Sequence, residues 1–144
     1  MSFLDNQNIY QIFGKKYNEH RFLMEKQAEE ERLRLEQEKK ELDKSCSYLR
    51  TFFENELQSL IEDKIQRKEL RREYNVHIYD YDILEMCEKP YFQKILEFGQ
   101  NLLSEQTDCA VSYELVYRGK VRRNDIDGSM DHALDVVVRI NQEF

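Results

Sequence analysis

The chain has no glycine and no proline between Gly14 and Pro90, an interval longer than half of its 144 residues. Residues 21–74 are almost all strong helix formers, and glycine and proline are the residues that most often end a helix. The interval therefore predicts one or two helices far longer than the globular average of about 11 to 12 residues. Because so short a chain cannot cover such a helix along its whole length, we expect part of it to project toward a partner.

The composition limits the chain to one compact domain with an appendage. Charged residues make up 35% and apolar residues 40% of the sequence, which indicates a small core beside a large solvated surface. The net charge of -7 disfavours general attraction to nucleic acid or to an anionic membrane. We expect a soluble protein, because no apolar run approaches about 18 residues, and an unsecreted one, because the N-terminus lacks the features of a signal peptide.

The cysteines Cys46, Cys87 and Cys109 are odd in number and widely spaced. This spacing argues against a disulfide framework and against a zinc site built from paired cysteines. We expect buried thiols in a reducing compartment, cytoplasmic or otherwise intracellular.

The first segment carries the signals of a short helix from Asn6 to Phe13. Asp5 can cap this helix, and Gly14 can end it. Its apolar residues are too few to form a domain, so the helix is predicted to dock, either on the chain's own long helix or in a neighbouring subunit. The candidate partner-binding residues of this segment and the one that follows are Leu4, Ile9, Tyr10, Ile12, Phe13, Ala28 and Leu35.

Residues 25–44 predict a helix supported by its own ion pairs, because eight acidic and six basic residues recur at spacings of three and four. Apolar residues recur every seven positions at Ala28, Leu35, Leu42 and Leu49. The second heptad track instead holds Glu31, Glu38 and Ser45, where a coiled coil is apolar. We therefore interpret residues 1–41 as a docking helix and a charged strut that contacts a partner along a narrow stripe, in preference to a self-sufficient dimeric coiled coil.

From Leu42 the pattern becomes that of a helix with one buried face, predicted to end near Tyr74 or Asn75. The apolar stripe comprises Leu42, Cys46, Leu49, Phe53, Leu57, Leu60 or Ile61, and Ile65. A short strand over 75–81, a helix beginning at Asp82, a helix over 91–105, and a β-hairpin of strands 109–121 and 132–140 follow. The predicted fold is α+β and mostly helical, with a long N-terminal helix (residues 1–41) projecting from a small module of helix and antiparallel hairpin (residues 42–144).

No motif in the sequence indicates catalysis. Residues 124–132 resemble part of a calcium loop, but the frame places Arg123 and Leu134 where the ion needs carboxylates, so a polar hairpin turn is predicted. The three histidines lie outside metal-ligand spacing of one another and of the cysteines, and the scattered glycines form no phosphate-binding loop. We therefore predict a protein that is not an enzyme and that has no cofactor or metal.

Two basic clusters favour an alternative. The first holds Lys64, Arg67, Lys68, Arg71 and Arg72, and the second holds Arg118, Lys120, Arg122 and Arg123. If the hairpin folds back on the helix end, the clusters would merge and contact phosphates, with Tyr113 and Tyr117 available for stacking on bases. The main hypothesis is a structural, assembly or adaptor subunit that docks through its N-terminal helices into a larger complex of like or unlike chains. The alternative is a small nucleic-acid-binding protein.

Overall fold

The computed structural model describes residues 6–67, 70–122 and 130–142. The elements in chain order are α1 (Asn6–Phe52), a π-helical turn (Phe53–Leu57), α2 (Gln58–Arg67), β1 (Glu73–His77), α3 (Tyr81–Met86), α4 (Phe92–Gln106), β2 (Val111–Arg122) and β3 (Met130–Ile140). The predicted α+β class with a long N-terminal helix is confirmed.

The structure divides into two units, Met1–Lys40 and Glu41–Phe144, which we call the N-terminal unit and the C-terminal module. The boundary between residues 41 and 42 as a division into separate domains, and the projection of one from the other, stay predictions.

Gly14 lies inside α1, so the prediction of a separate helix that ends at Phe13 is wrong. A glycine in a helix interior costs only about 1 kcal/mol relative to alanine. The strong helix formers that follow, with ion pairs such as Arg21 Nε to Glu25 Oε1 at 3.1 Å, supply enough helix stability to offset that cost. The predicted cap Asp5 and the predicted docking residue Leu4 lie outside the described residues.

The described part of α2 reaches Arg67, and residues 70–72 are not helical, so the predicted helix end near Tyr74 or Asn75 is wrong. Residues 73–77 form β1, because Tyr74 and Val76 alternate into the core while their neighbours face outward. The helix predicted from Asp82 is α3, which begins at Tyr81. Its N-cap is Asp80, whose carboxylate accepts a hydrogen bond from the Ile83 backbone N–H at 3.1 Å.

The sheet is antiparallel with strand order β1-β3-β2. The predicted hairpin of β2 and β3 is present, and β1 pairs with the other edge of the central strand β3. A bulge interrupts the register between Tyr117 and Gly119. Gly119 has φ +83°, a left-handed conformation that favours glycine. The bulge leaves Arg118 as an extra residue of β2.

The core of the module lies between one face of this sheet and the helices. Of the predicted stripe, Leu49 and Leu57 are buried, and the remaining members pack partly buried against the same core: Leu42, Cys46, Phe53, Leu60, Ile61 and Ile65. Helix α4 approaches closely at Gly99, where a Cβ atom would come within 2.9 Å of Leu49 Cδ2. The stripe is therefore a core-facing surface, as predicted.

Candidate functional site

The N-terminal unit exposes an unusual amount of apolar surface. Every side chain from Ile9 to Gln37 is exposed, and Tyr10 retains 78% of its accessible surface. The large apolar members are Ile9, Tyr10, Ile12, Phe13, Tyr17, Phe22, Leu23, Met24, Leu33 and Leu35. Soluble monomers scatter such residues singly, whereas a dense set of them marks an interaction site.

Part of this set forms a stripe along α1. Tyr10, Tyr17 and Met24 recur every seven residues, and so do Ala28 and Leu35, four residues further on. Because seven residues are close to two helical turns, both series lie on nearly the same side of the helix. The structure therefore places the predicted docking residues Ile9, Tyr10, Ile12, Phe13, Ala28 and Leu35 on one continuous exposed helix.

Sequence reasoning missed Tyr17, Phe22, Leu23 and Met24 as candidate site residues. The available signal was the seven-residue spacing of Tyr10, Tyr17 and Met24. The predicted helix end at Gly14 concealed it, because that break separates Tyr10 from the other two.

The polar side of the helix carries a chain of ion pairs. Arg32 bridges Glu29 and Glu36, and Arg34 pairs with Glu31. The hydrogen bond from Arg32 holds the pKa of Glu29 below its ordinary value. All these side chains are more than half exposed, so each pair stabilises the helix only weakly. They support the helix without burying any of its apolar residues.

The structure brings parts of the two basic clusters into neighbouring depressions beside β1. Lys64 and Arg71 line one depression of about 220 Å³ together with Asn75 and His77. Arg118 lines another, of about 530 Å³, which His77 also borders. The two depressions therefore share His77 as a bordering residue, and the merging of the clusters into one patch stays a prediction.

The remaining members of the clusters are exposed, are engaged elsewhere or lie outside the described residues. Arg67 Nε lies 3.2 Å from Asp63 Oδ1, and Arg72 Nη1 donates to the Gln142 carbonyl at 3.5 Å. Lys120 is exposed on β2. Lys68 and Arg123 lie outside the described residues, and Arg122 is described only by its place at the end of β2.

The charge of Arg118 is compensated within the module. Its Nε donates to the buried Asp135 carboxylate at 3.2 Å, and its Nη2 donates to Asn75 Oδ1 at 3.2 Å. His77 Nδ1 lies 2.7 Å from the other oxygen of Asp135. Because a buried carboxylate needs such partners, Arg118 is held by the fold and is a poor free ligand for phosphate.

The same outer face of the sheet is covered by further ion pairs. Arg139 on the central strand pairs with Glu114 of β2 at 2.7 Å and with Glu73 of β1 at 3.6 Å. Val137 lies opposite Glu114 and two residues before Arg139, and it is almost completely buried on this face. The face is therefore a structural layer of matched charges.

The tyrosines predicted to stack on bases face away from Arg118. Tyr113 and Tyr117 pack against the core, and Tyr117 meets the Phe92 ring edge-on at 5.0 Å between centroids. Side chains alternate across a strand, so residues 113 and 117 belong to the helix-covered face. The prediction that they assist a basic patch is wrong.

One cluster of polar groups lies on the core face near α3. His132 Nδ1 lies 2.6 Å from Tyr117 Oη, and His132 Nε2 lies 3.4 Å from Glu88 Oε1. Burial raises the pKa of the neighbouring Cys87 thiol to about 11. A thiol with that pKa carries almost no thiolate at neutral pH, so the arrangement does not activate Cys87 as a nucleophile.

Within the described ranges, no group of three or more histidine, cysteine, aspartate or glutamate side chains is placed to hold a metal ion. None of the described helices combines the length and apolar character needed to cross a membrane. The predicted hairpin turn at 124–132 lies mostly outside the described residues. No protein-family model matches the chain, and no curated protein or solved structure matches it.

Proposed function

We propose that the protein is a non-enzymatic assembly or adaptor subunit that docks onto other protein chains through the exposed apolar residues of its N-terminal helix. The observation that carries this proposal is the continuous exposure of residues 9–37, with ten large apolar side chains among them. A helix that presents such residues binds by laying them into a groove or against another helix.

Energetics support this use of the helix. Full burial of one large apolar side chain stabilises a complex by about 1.5 to 3 kcal/mol, so a few such residues are enough for a specific contact. The charged residues of the strut keep the unbound helix solvated, and they can select partners of complementary charge. The C-terminal module has its own core, so docking need not supply its folding energy.

The proposal is tested by recovering the protein from its source under gentle conditions and measuring which chains remain bound at a fixed stoichiometry. We expect a variant with Tyr10→Ser, Phe13→Ser and Tyr17→Ser to lose those chains, and the wild-type contact to persist at high salt because burial drives it. The matched control is Leu70→Ser with Tyr79→Ser and Tyr81→Ser, which changes exposed apolar residues of the module. Equal recovery by the two triple variants would refute the proposal.

Nucleic-acid binding stays the second candidate because Lys64 and Arg71 line a depression beside β1. A plot of log Kd against the logarithm of the salt concentration should rise linearly for this binding. The double variant Lys64→Glu with Arg71→Glu should reduce the slope of that plot by about 2. The control is Lys39→Glu with Lys40→Glu, which removes the same charge from α1. If the affinity for single and double strands is unmeasurable at low salt, this candidate is excluded.

A further inference from the structure

Two series of residues at seven-residue spacing form a seam along the N-terminal unit. The first track is Tyr10, Tyr17, Met24, Glu31 and Glu38; the second track is Gly14, Arg21, Ala28 and Leu35. The tracks alternate at steps of three and four, which is the spacing of a coiled-coil interface. The first track is apolar at its beginning, and the second track is apolar at its end.

A parallel pair of these helices would be unfavourable. In a parallel coiled coil each seam residue faces its own counterpart, so Glu31, Glu38 and Arg21 would each face a like charge. Three like-charge layers in so short a seam disfavour that arrangement.

In an antiparallel pair, each residue of one track faces a residue of the other track on the second helix. The two residue numbers in every such layer add to the same sum. When that sum is 52, Met24 faces Ala28 and Tyr17 faces Leu35, so the apolar parts of the two tracks meet. Shifting the register by one heptad places Arg21 against Met24 or Glu31 against Ala28, which buries a charge against an apolar side chain.

The charged layers of this register are complementary. Arg21 faces Glu31 of the second copy, and the same layer occurs twice because the pair has a two-fold axis. Glu38 faces Gly14, where the space that a Cβ would occupy has no atom within 4 Å. The polar residues that prevent a parallel seam therefore define the antiparallel one.

The groups needed for this contact are accessible. Arg21 binds Glu25 through Nε, and Glu31 accepts from Arg34 through Oε1. The terminal nitrogens of Arg21 and Oε2 of Glu31 therefore lie outside these two ion pairs. The two side chains are 67% and 53% exposed, so an intermolecular contact requires no buried interaction to be broken.

We infer that α1 pairs with α1 of a second copy of this chain, antiparallel and centred on residue 26, over residues 14–38. The seam is about 37 Å long at a rise of about 1.5 Å per residue. This inference rests on the proposed docking role of the N-terminal helix and names a second copy as one partner. Ile12, Phe22 and Leu23 lie outside the seam and remain exposed for other chains.

Charge exchange in the full chain tests the pairing. Arg21→Glu and Glu31→Arg, each alone, place like charges in both symmetry-related layers, and we expect each to raise the dimer Kd at least tenfold in sedimentation equilibrium. The double variant Arg21→Glu with Glu31→Arg restores opposite charges and should recover the wild-type Kd. Lys26→Glu and Glu30→Arg, which lie off the seam, serve as matched controls and should leave the Kd unchanged.

The orientation is measured separately with one spin label per chain, at Lys26→Cys or Lys40→Cys, after the three native cysteines are replaced by serine. In the antiparallel pair the two labels at 26 lie level, whereas those at 40 are displaced by about 42 Å along the axis, twice the 1.5 Å rise for each of 14 residues. A parallel pair gives equal separations at both sites.

The outcomes separate this inference from the proposed function. A chain that stays monomeric up to millimolar concentration, a dimer unaffected by the single charge changes, or equal label separations would overturn the pairing, while docking onto a different protein would stand. The expected charge pattern and label separations, together with no chain of another kind recovered at fixed stoichiometry, would support the pairing and restrict the docking proposal to copies of this chain.

Discussion

Helix α1 places similar residues in opposite environments at its two ends. Leu35 and Leu49 belong to one seven-residue series, yet Leu35 is 53% exposed and Leu49 is 1% exposed. The difference arises from what surrounds each residue: α4 and the sheet contribute to the core around Leu49, whereas every side chain from Ile9 to Gln37 is exposed. Periodicity therefore identifies the side of a helix that favours contact, and the contact itself depends on which element or partner is present.

The largest expected effect is at the buried end of the series. Leu49→Asp places an unpaired carboxylate in the core and should reduce the free energy of unfolding of the module by about 4 kcal/mol or more. Leu35→Asp, the same change at an exposed site, should alter it by no more than about 0.5 kcal/mol. Urea denaturation followed by circular dichroism measures both.

Equal losses of stability for the two variants would contradict the comparison, because they would mean that the exposed series also contributes to the folded core. A stable Leu49→Asp variant would show instead that the stripe from Leu42 to Ile65 is not core.

The two glycines inside helices provide the next contrast. Gly14→Ala should increase helix stability by about 0.5 to 1 kcal/mol, because nothing lies within 4 Å of the new Cβ and alanine is the better helix former. Gly99→Ala should destabilise the module by about 1 to 2 kcal/mol, because its Cβ would lie 2.6 Å from Leu115 Cδ2 and 2.9 Å from Leu49 Cδ2. Circular dichroism at 222 nm should show higher helix content for Gly14→Ala, whereas the thermal melt of Gly99→Ala should shift to lower temperature. An unchanged melt of Gly99→Ala would contradict the close packing of α4.

The sequence predicted the elements governed by local patterns. The long helix, the core stripe and the hairpin all follow from periodicity and from the absence of helix breakers. The sequence did not predict that residues 70–72 would be outside the helix and that β1 would begin at Glu73. That strand buries Tyr74 and Val76 only because it pairs with β3, which is distant in the sequence.

The candidate site was predicted only in part, again because local patterns do not reveal contacts between distant segments. Ile9 to Phe13 were identified from their apolar character, but their continuity with Tyr17 and Met24 depended on whether Gly14 ends a helix, a choice set by a balance of about 1 kcal/mol. The placement of Lys64, Arg71 and Arg118 beside β1 depended on tertiary folding, and so did the neutralisation of Arg118 by Asp135, a residue that carried no signal in the sequence.

A smaller effect is expected at Asp80, which caps α3 and accepts a hydrogen bond from Tyr48 Oη at 2.9 Å. Asp80→Ala should cost about 1 kcal/mol through loss of the cap. The hydrogen bond to Asp80 raises the pKa of Tyr48 from 10.0 to about 12. In Asp80→Ala the pKa of Tyr48 should return toward 10.0, as measured by the ultraviolet absorbance of tyrosinate. The Tyr48→Phe variant identifies which part of that absorbance change belongs to Tyr48.

The sign of the pH dependence follows from that shift. Because the folded-state pKa of Tyr48 lies above its unfolded value, the contribution of this contact to stability is fully present below pH 10 and is lost as the pH rises toward 12. The difference in the free energy of unfolding between the wild type and Tyr48→Phe should shrink across this pH range. A constant difference between the two proteins would mean that the hydrogen bond is not formed in solution.

The smallest effect on the module should come from the largest change, removal of residues 1–40. Every member of the core cluster lies between Leu42 and Ile140, so the truncated chain retains all of them and its free energy of unfolding should change by less than about 0.5 kcal/mol. The same deletion should abolish docking and self-association, because it removes the ten large apolar residues that are exposed between Ile9 and Gln37. In the full chain, backbone amides of residues 9–37 should exchange with solvent far faster than those of β3, and they should become protected when a partner binds. A truncated chain that fails to fold would show that the module depends on the N-terminal helix, whereas one that folds and still associates would locate the docking surface elsewhere, in the module itself.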